Sequence, residues 1–181
     1  MKKFKLTSEF IVDISGVKLF RIKALIEFGN VKAGDLGGYI EKEENLSHMG
    51  DAWVSDDARI SGNAQVFGNA QVFGDAQVFG DAWVFGNARV FGNARVSGDA
   101  QVSGNAWVSG DKDYAYAHGF GSCNRTTTFF RLKDGDVGVR CGCFYGTLAQ
   151  FRDKVCETHG ETKKAQEYLM LADLMEIRFK N

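Results

Sequence analysis

The sequence predicts a mainly β protein built around a parallel β-helix of about three coils. Three observations support this: a six-residue motif repeats without interruption, glycine occurs 22 times, and proline is absent. Fixed periodicity is typical of solenoids, in which each unit buries its apolar side only against its neighbours. We divide the chain into a cap (1–49), the repeat region (50–110) and a small α+β module (111–181).

The repeat consists of ten hexads from Gly50 to Ser109, of which GNAQVF at 68–73 is a typical copy. Glycine begins every hexad except the one that begins with Asp56, and glycine followed by Asn or Asp suits a sharp corner. The alanine and the branched residue two positions later lie on one side of an extended strand, so they fill the interior. Three strands and three corners therefore make a coil of eighteen residues.

The motif V-F-G-N-A-R at 84–89 resembles the hexapeptide repeat of left-handed parallel β-helices. The resemblance implies a left-handed coil and a trimer, which is the usual assembly in that superfamily. Its members include acyltransferases, γ-class carbonic anhydrases and non-catalytic scaffolds, so the fold alone does not decide the activity.

Five consecutive hexads place phenylalanine outward and predict an aromatic belt around the middle coils. The belt consists of Phe67, Phe73, Phe79, Phe85 and Phe91. Exposed aromatic surface of this size is typical of interfaces, which favours self-association. The resemblance implies that the assembly is a homotrimer. The alternative is that the rings only stack from one coil to the next.

The first segment, 1–49, is predicted to cap the open end of the helix with a β-hairpin that turns at Ser15-Gly16. An uncovered end would expose strand edges and apolar interior. Residues 31–47 are similar to the lead-in of a family of uncharacterised acetyltransferase-like repeat proteins of bacteria and phages. That family tends to have Trp where this chain has Tyr39.

The last segment, 111–181, is predicted to contain a hairpin and two helices. Strands at 125–132 and 137–143 flank a Lys-Asp-Gly-Asp turn, and Thr147 with Gln150 forms a capping box for the first helix. The second helix is predicted at 162–179. Residues 121–130 and 141–148 resemble the C-terminal module of phage-encoded hexapeptide-repeat proteins, which implies a phage or prophage origin and no established activity.

One side of the predicted hairpin is a candidate ligand-binding surface. Strand alternation predicts that Phe130 and Val139 face the interior. Phe129 then faces outward between Arg131 and Arg140, where two guanidiniums beside a ring can hold a phosphate and stack a base. The candidate set is Ser122, Asn124, Arg125, Thr127, Phe129, Arg131 and Arg140. A solvated sheet face or a protein-docking surface explains the same pattern.

The hexads contain no His, Cys or Glu, so the sequence favours a protein without enzymatic activity or cofactor. The alternative is acyl transfer at a subunit interface near His118, because acyltransferases of the resembled superfamily use a histidine base. The three-histidine zinc site of γ-class carbonic anhydrases is absent.

Four cysteines occupy the last third of the chain: Cys123, Cys141, Cys143 and Cys156. Their spacing matches no known zinc finger or ribbon. The C-x-C pair at 141–143 places both thiols on the strand face that we expect to be buried. The sequence therefore predicts reduced core cysteines and no metal site, and no motif supports a Cys–His nucleophile pair.

Charge and hydropathy narrow the function further. A net charge of -1 argues against specific nucleic-acid binding, and no segment reaches the roughly 20 apolar residues that span a bilayer. No secretory signal is recognisable, which predicts a location in the cytoplasm of a bacterial host. We expect a non-enzymatic oligomeric scaffold whose C-terminal module binds a host protein or a small anionic, nucleotide-like ligand, in keeping with a counter-defence role.

Overall fold

The computed structural model describes residues 1–122 and 124–180. Its centre is a parallel β-solenoid of about four turns, in which strands eighteen residues apart pair in register, as Gln71 does with Arg89 and Arg89 with Trp107. The ten hexads supply β4 (Trp53–Val54), β5 (Arg59–Ile60), β6 (Gln65–Val66), β7 (Gln71–Val72), β8 (Gln77–Val78), β9 (Trp83–Val84), β10 (Arg89–Val90), β11 (Arg95–Val96), β12 (Gln101–Val102) and β13 (Trp107–Val108). The predicted mainly β solenoid is confirmed.

The interior and the corners follow the hexad pattern. The alanine and the branched residue of every hexad are buried and form one continuous core. The corner glycines have positive φ and stack on one another, so that a Cβ added to Gly86 would lie 2.9 Å from the nitrogen of Gly104. Asp56 adopts the same left-handed conformation, with φ of 56°, and its Oδ2 accepts a hydrogen bond from Gly74 N at 3.0 Å.

The N-terminal segment both caps and extends the solenoid. Strands β1 (Phe4–Val12) and β2 (Lys18–Ala24) form the predicted hairpin, and β2 pairs with β3 (Leu36–Ile40). Strand β3 lies parallel to β5, and after a 3-10 turn at Glu43–Asn45 a bridge joins Leu46 to Val66. These pairings lie before Gly50 and bring the solenoid to about four turns, where the hexads alone predict about three.

Polar side chains close this first end of the solenoid. Lys3 Nζ donates hydrogen bonds to the carbonyl oxygens of Gly50 and Ala52 at 3.1 and 2.7 Å. Asn45 Nδ2 donates in the same way to two carbonyl oxygens of the next corner, at 3.1 and 2.8 Å. Lys3 is only 1% exposed, and burial lowers its pKa to about 8. This end of the stack exposes carbonyl oxygens, so hydrogen-bond donors cover it.

The opposite end carries the reverse chemistry. Here the last turn presents backbone amides that have no further turn to pair with. Several of them donate hydrogen bonds to side-chain oxygens of the C-terminal module instead. Arg95 N donates to Asp111 Oδ1 at 2.8 Å, and Gln101 N donates to Thr128 Oγ1 at 2.9 Å. Tyr145 Oη accepts a third such bond from the corner amide of Asn105, at 3.3 Å. The N-terminal segment thus supplies donors to carbonyl oxygens at one end, and the C-terminal module supplies acceptors to amides at the other.

The C-terminal module is a four-stranded antiparallel sheet with two helices. Its elements are β14 (Tyr114–Phe120), β15 (Arg125–Arg131), β16 (Val137–Cys141), β17 (Phe144–Thr147), α1 (Leu148–His159) and α2 (Lys163–Phe179). The hairpin β15–β16, the Thr147 capping box and both helices match the predictions, whereas β14 and β17 were not predicted. The sheet lies between the solenoid and the helices: Phe130 joins the solenoid core, and Phe129 packs with the helices.

No helix in the described ranges is long and apolar enough to cross a membrane.

Candidate ligand-binding site

The predicted outward face of β15 is buried. Phe129 and Thr127 are 0% and 1% exposed, and Phe129 pairs with Val139 across the hairpin on the side covered by the helices. Phe130 and Thr128 face the solenoid on the other side. The predicted orientation is therefore wrong, because strand alternation identifies two faces and this sheet has both of them covered.

The two arginines expected to flank Phe129 lie apart. Arg131 holds the end of α2: its Nη2 donates to the carbonyl of Phe179 at 2.9 Å, and its guanidinium lies 5.4 Å from that residue's ring. Arg140 lies on the solenoid side, with its guanidinium 5.3 Å from the ring of Phe85. Both arginines have structural contacts, so they do not form the predicted phosphate clamp.

The turn before β15 separates the remaining candidates. Ser122 N donates to Tyr168 Oη at 3.0 Å, which directs this residue towards the helices, and burial raises the pKa of Tyr168. Asn124 has a positive φ of 46° and lines a cleft on the solenoid face together with Arg125. The structure therefore keeps only Asn124 and Arg125 together in an open site.

The cysteines are also placed differently from the prediction. Cys141 is half-buried, and its Sγ accepts a hydrogen bond from Thr127 Oγ1 at 3.2 Å. Cys143 and Cys156 are exposed, so the expected core placement is wrong for both, and Cys123 lies outside the described residues. Across the described ranges, no group of three or more His, Cys, Asp or Glu side chains converges as a metal site would require.

A cleft of about 540 Å³, which we call the Trp107 cleft, lies where the β15–β16 turn meets the solenoid. It is lined by Asn87, Arg89, Asn105, Ala106, Trp107, Leu132, Lys133, Asp134 and Tyr145. An antiparallel bridge between Ala106 and Leu132 holds the turn over the last solenoid strand. The cleft thus combines side chains from two units that are far apart in the sequence.

Two cations converge on the Trp107 ring. The guanidinium carbon of Arg89, one turn below, lies 5.3 Å from the ring centroid, and Lys133 Nζ from the module lies 5.9 Å from it. The Phe91 and Trp107 rings pack edge to face, with their centroids 5.1 Å apart. Neither cation forms an ion pair within the described part of the chain, and the nearby Asp134 carboxylate accepts a bond from Asp136 N at 3.1 Å.

This cleft was not predicted from the sequence, although the sequence shows that two of its residues are neighbours. The eighteen-residue spacing of Arg89 and Trp107 predicts that they stack on neighbouring turns, as they do. Lys133 belongs to the recognised Lys-Asp-Gly-Asp turn, but no local pattern indicates that this turn folds back over the solenoid. Such a contact depends on how the module docks.

His118 lies on another face of the solenoid. Its Nδ1 is 2.9 Å from Thr126 Oγ1 and 3.8 Å from Asp99 Oδ2, and both ring and carboxylate are more than half exposed. A histidine beside a carboxylate has the partners that a general base requires. This site is open to water.

The five belt phenylalanines are half-buried, and four of them contact each other between turns. Phe67 stacks on Phe85 with ring centroids 4.8 Å apart, and Phe73 stacks on Phe91 at 5.0 Å. This is the arrangement of the alternative interpretation, in which the rings support the stack itself. Self-association of the belt stays a prediction.

A family model described as the YdcK beta solenoid repeat matches residues 58–74 and 88–100. These residues lie within the hexads, so the match supports a β-helix repeat protein and does not extend to the cap or the module. A search of curated proteins gives no match.

Proposed function

We propose that this β-solenoid repeat protein is a non-enzymatic, trimeric scaffold whose C-terminal module binds a small anionic, nucleotide-like ligand in the Trp107 cleft. The observation that carries the proposal is the convergence of Arg89 and Lys133 on the Trp107 ring. A phosphate between the two cations would gain charge-assisted hydrogen bonds. The indole and the Leu132 side chain would contact the apolar part of the ligand.

The shape of the site favours a small ligand over a protein. The cleft volume of about 540 Å³ lies within the range of small-molecule sites, and its lining mixes apolar and amide groups with two cations and one carboxylate, that of Asp134. Tyr145 adds a phenol whose oxygen already accepts the Asn105 amide, which leaves its proton free to be donated. A host protein as the partner is the other outcome that the experiments below distinguish.

The phage or prophage origin and the counter-defence role belong to the same proposal. The origin rests on the resemblance of residues 31–47, 121–130 and 141–148. The counter-defence role follows from a phage lifestyle, since a nucleotide-binding cleft would suit a protein that sequesters a nucleotide signal.

The test is isothermal titration with ATP and AMP, preceded by native mass spectrometry of the freshly purified protein. We expect binding that Arg89→Gln and Lys133→Gln each weaken by about tenfold, because each removes one charge-assisted contact, or roughly 1.4 kcal/mol. Adenosine, which lacks the phosphate, should bind more weakly than AMP.

The matched control is Arg95→Gln. Arg95 also lies over an aromatic ring, Phe79 at 5.8 Å, but it belongs to another face and does not line the Trp107 cleft. It should leave nucleotide affinity unchanged. Equal weakening by Arg95→Gln would indicate non-specific attraction of anions, and no binding of either nucleotide would refute the proposal in favour of a protein partner.

A second candidate function is acyl transfer at a subunit interface, with His118 as the base. The observation that favours it is the position of Thr126 and Asp99 around the imidazole. An acyltransferase should transfer an acetyl group from acetyl-CoA to an acceptor and lose that activity in His118→Ala. The scaffold proposal predicts that His118→Ala keeps the nucleotide affinity of the wild type.

A further inference from the structure

A second cleft, of about 550 Å³, lies around Trp83 and His118 on the solenoid face of strands β6, β9 and β12. We call it the Trp83 cleft. Its floor is the Trp83 ring, which is 42% exposed, and one wall is the turn of the C-terminal module that carries Asn124 and Arg125. It shares no lining residue with the Trp107 cleft.

The Trp83 ring is held rigidly. Its strand β9 pairs on both sides, with β6 below and β12 above, so the backbone that carries the ring is hydrogen-bonded to both neighbours. The Phe67 ring packs edge-on against the indole at 6.0 Å and is itself stacked on Phe85. Because both edges of β9 are occupied, a peptide cannot bind here by adding a strand. A ligand must therefore be recognised by side chains.

The side chains around the ring are arranged in rows. Gln65 and Gln101 occupy the positions directly below and above Trp83, at the usual strand separation of about 4.8 Å. At the neighbouring corner, Asp81 and Asp99 repeat one turn apart, and Asp81 Oδ1 accepts a hydrogen bond from Asn63 Nδ2 at 3.1 Å. The flat apolar ring is thus bordered by amides and carboxylates.

The charge distinguishes this cleft from the Trp107 cleft. Two carboxylates, Asp81 and Asp99, line it together with one guanidinium, that of Arg125, and the imidazole of His118. Carboxylates accept hydrogen bonds and would repel a phosphate, whereas amides both donate and accept. A ligand that offers many hydroxyl groups and one apolar flat side satisfies these groups best.

We infer that the Trp83 cleft binds a neutral saccharide. The C–H face of a sugar ring would lie on the indole, and its hydroxyl groups would donate to Asp81 and Asp99 and exchange hydrogen bonds with the glutamine amides.

The test is a titration of the full-length protein with four neutral trisaccharides, namely maltotriose, cellotriose, mannotriose and tri-N-acetylchitotriose, followed by calorimetry and tryptophan fluorescence. At least one should bind, and Trp83→Ala should weaken it by about tenfold or more, because the stacking surface is lost. Asp99→Asn should weaken it less than Trp83→Ala, because an amide oxygen still accepts one hydrogen bond.

The matched control is Trp107→Ala, which removes the same side chain from the other cleft. It should leave the saccharide affinity unchanged while abolishing nucleotide binding, so the two proposals succeed or fail independently. Trp83→Phe keeps an aromatic platform and should recover most of the affinity. Absence of binding by all four sugars, or equal loss in Trp107→Ala and Trp83→Ala, would overturn the inference.

Discussion

At the scale of single residues, Lys3 shows how strongly position changes the chemistry of a side chain. The ammonium is buried, contacts the Phe28 ring at 4.6 Å from its centroid, and donates to the carbonyls of Gly50 and Ala52. Desolvation lowers the pKa of Lys3 to about 8 from its ordinary 10.5, and Asp51 opposes this only in part. The charged form is thus less favourable in the fold than in water.

This shift predicts a pH dependence of stability. Between about pH 8 and 10.5 the unfolded chain still holds the Lys3 proton that the folded protein has released. The free energy of unfolding from this group therefore rises with pH across that window, by at most about 3 kcal/mol. Urea unfolding at pH 7.5 and 10 should show the increase in the wild type relative to Lys3→Met, which lacks the ionisable group. A constant difference between the two proteins would contradict the assigned shift.

In the candidate site, the positions of some residues can be predicted from the sequence and those of others cannot. The spacing of the hexads brings Arg89 under Trp107, and this is readable from the sequence alone. The position of Lys133 depends on the docking of a separate unit, and the burial of Phe129 depends on helices that cover its side of the sheet. The alternation of residues along a strand indicates neither the docking of the module nor the cover that the helices provide.

At the scale of elements, the corner ladder has a strict steric requirement. Gly86 has φ of +71°, and a Cβ there would lie 2.9 Å from Gly104 N, closer than real contacts allow. The strands are only two residues long, so a displaced corner has little extended structure beside it to absorb the shift. The glycines therefore serve both the turn and the close approach of successive turns.

Gly86→Ala should accordingly lower the free energy of unfolding by about 2–4 kcal/mol, from backbone strain plus the clash. The control is Gly34→Ala, which also has a positive φ, of 96°, but open space around the added Cβ. It should cost only about 1–2 kcal/mol, the penalty of the left-handed conformation alone. Chemical unfolding measures both variants, and equal losses would mean that the ladder is not tightly packed.

The elements that escaped prediction share a reason. Ile40 and Leu46 pair with Ile60 and Val66, twenty residues later, so the first turn falls outside the eighteen-residue period. Strands β14 and β17 carry no repeat and pair only within the module. The hexads, the hairpin and the two helices were predictable because their patterns are local and regular.

At the scale of the whole molecule, the aromatic belt leads to a prediction about assembly. Phe79 is half-buried on the face that carries neither cleft, and its ring lies against the guanidinium of Arg95, 5.8 Å from the ring centroid. Native mass spectrometry should find a trimer for the wild type, and Phe79→Ser should shift it towards monomer because the interface loses apolar area. Phe120→Ser, an exposed ring of the module, should keep the trimer. A monomeric wild type would show that the belt serves only the stacking between turns.

The chemistry of the two solenoid ends determines how long the molecule can become. One end exposes carbonyl oxygens and the other exposes amides, so uncapped copies would join head to tail and grow as filaments. Lys3 and Asn45 occupy the acceptors at one end, and Asp111, Thr128 and Tyr145 occupy the donors at the other. The flanking segments thus block end-to-end association, and they limit a repeat that could otherwise polymerise to a solenoid of fixed length.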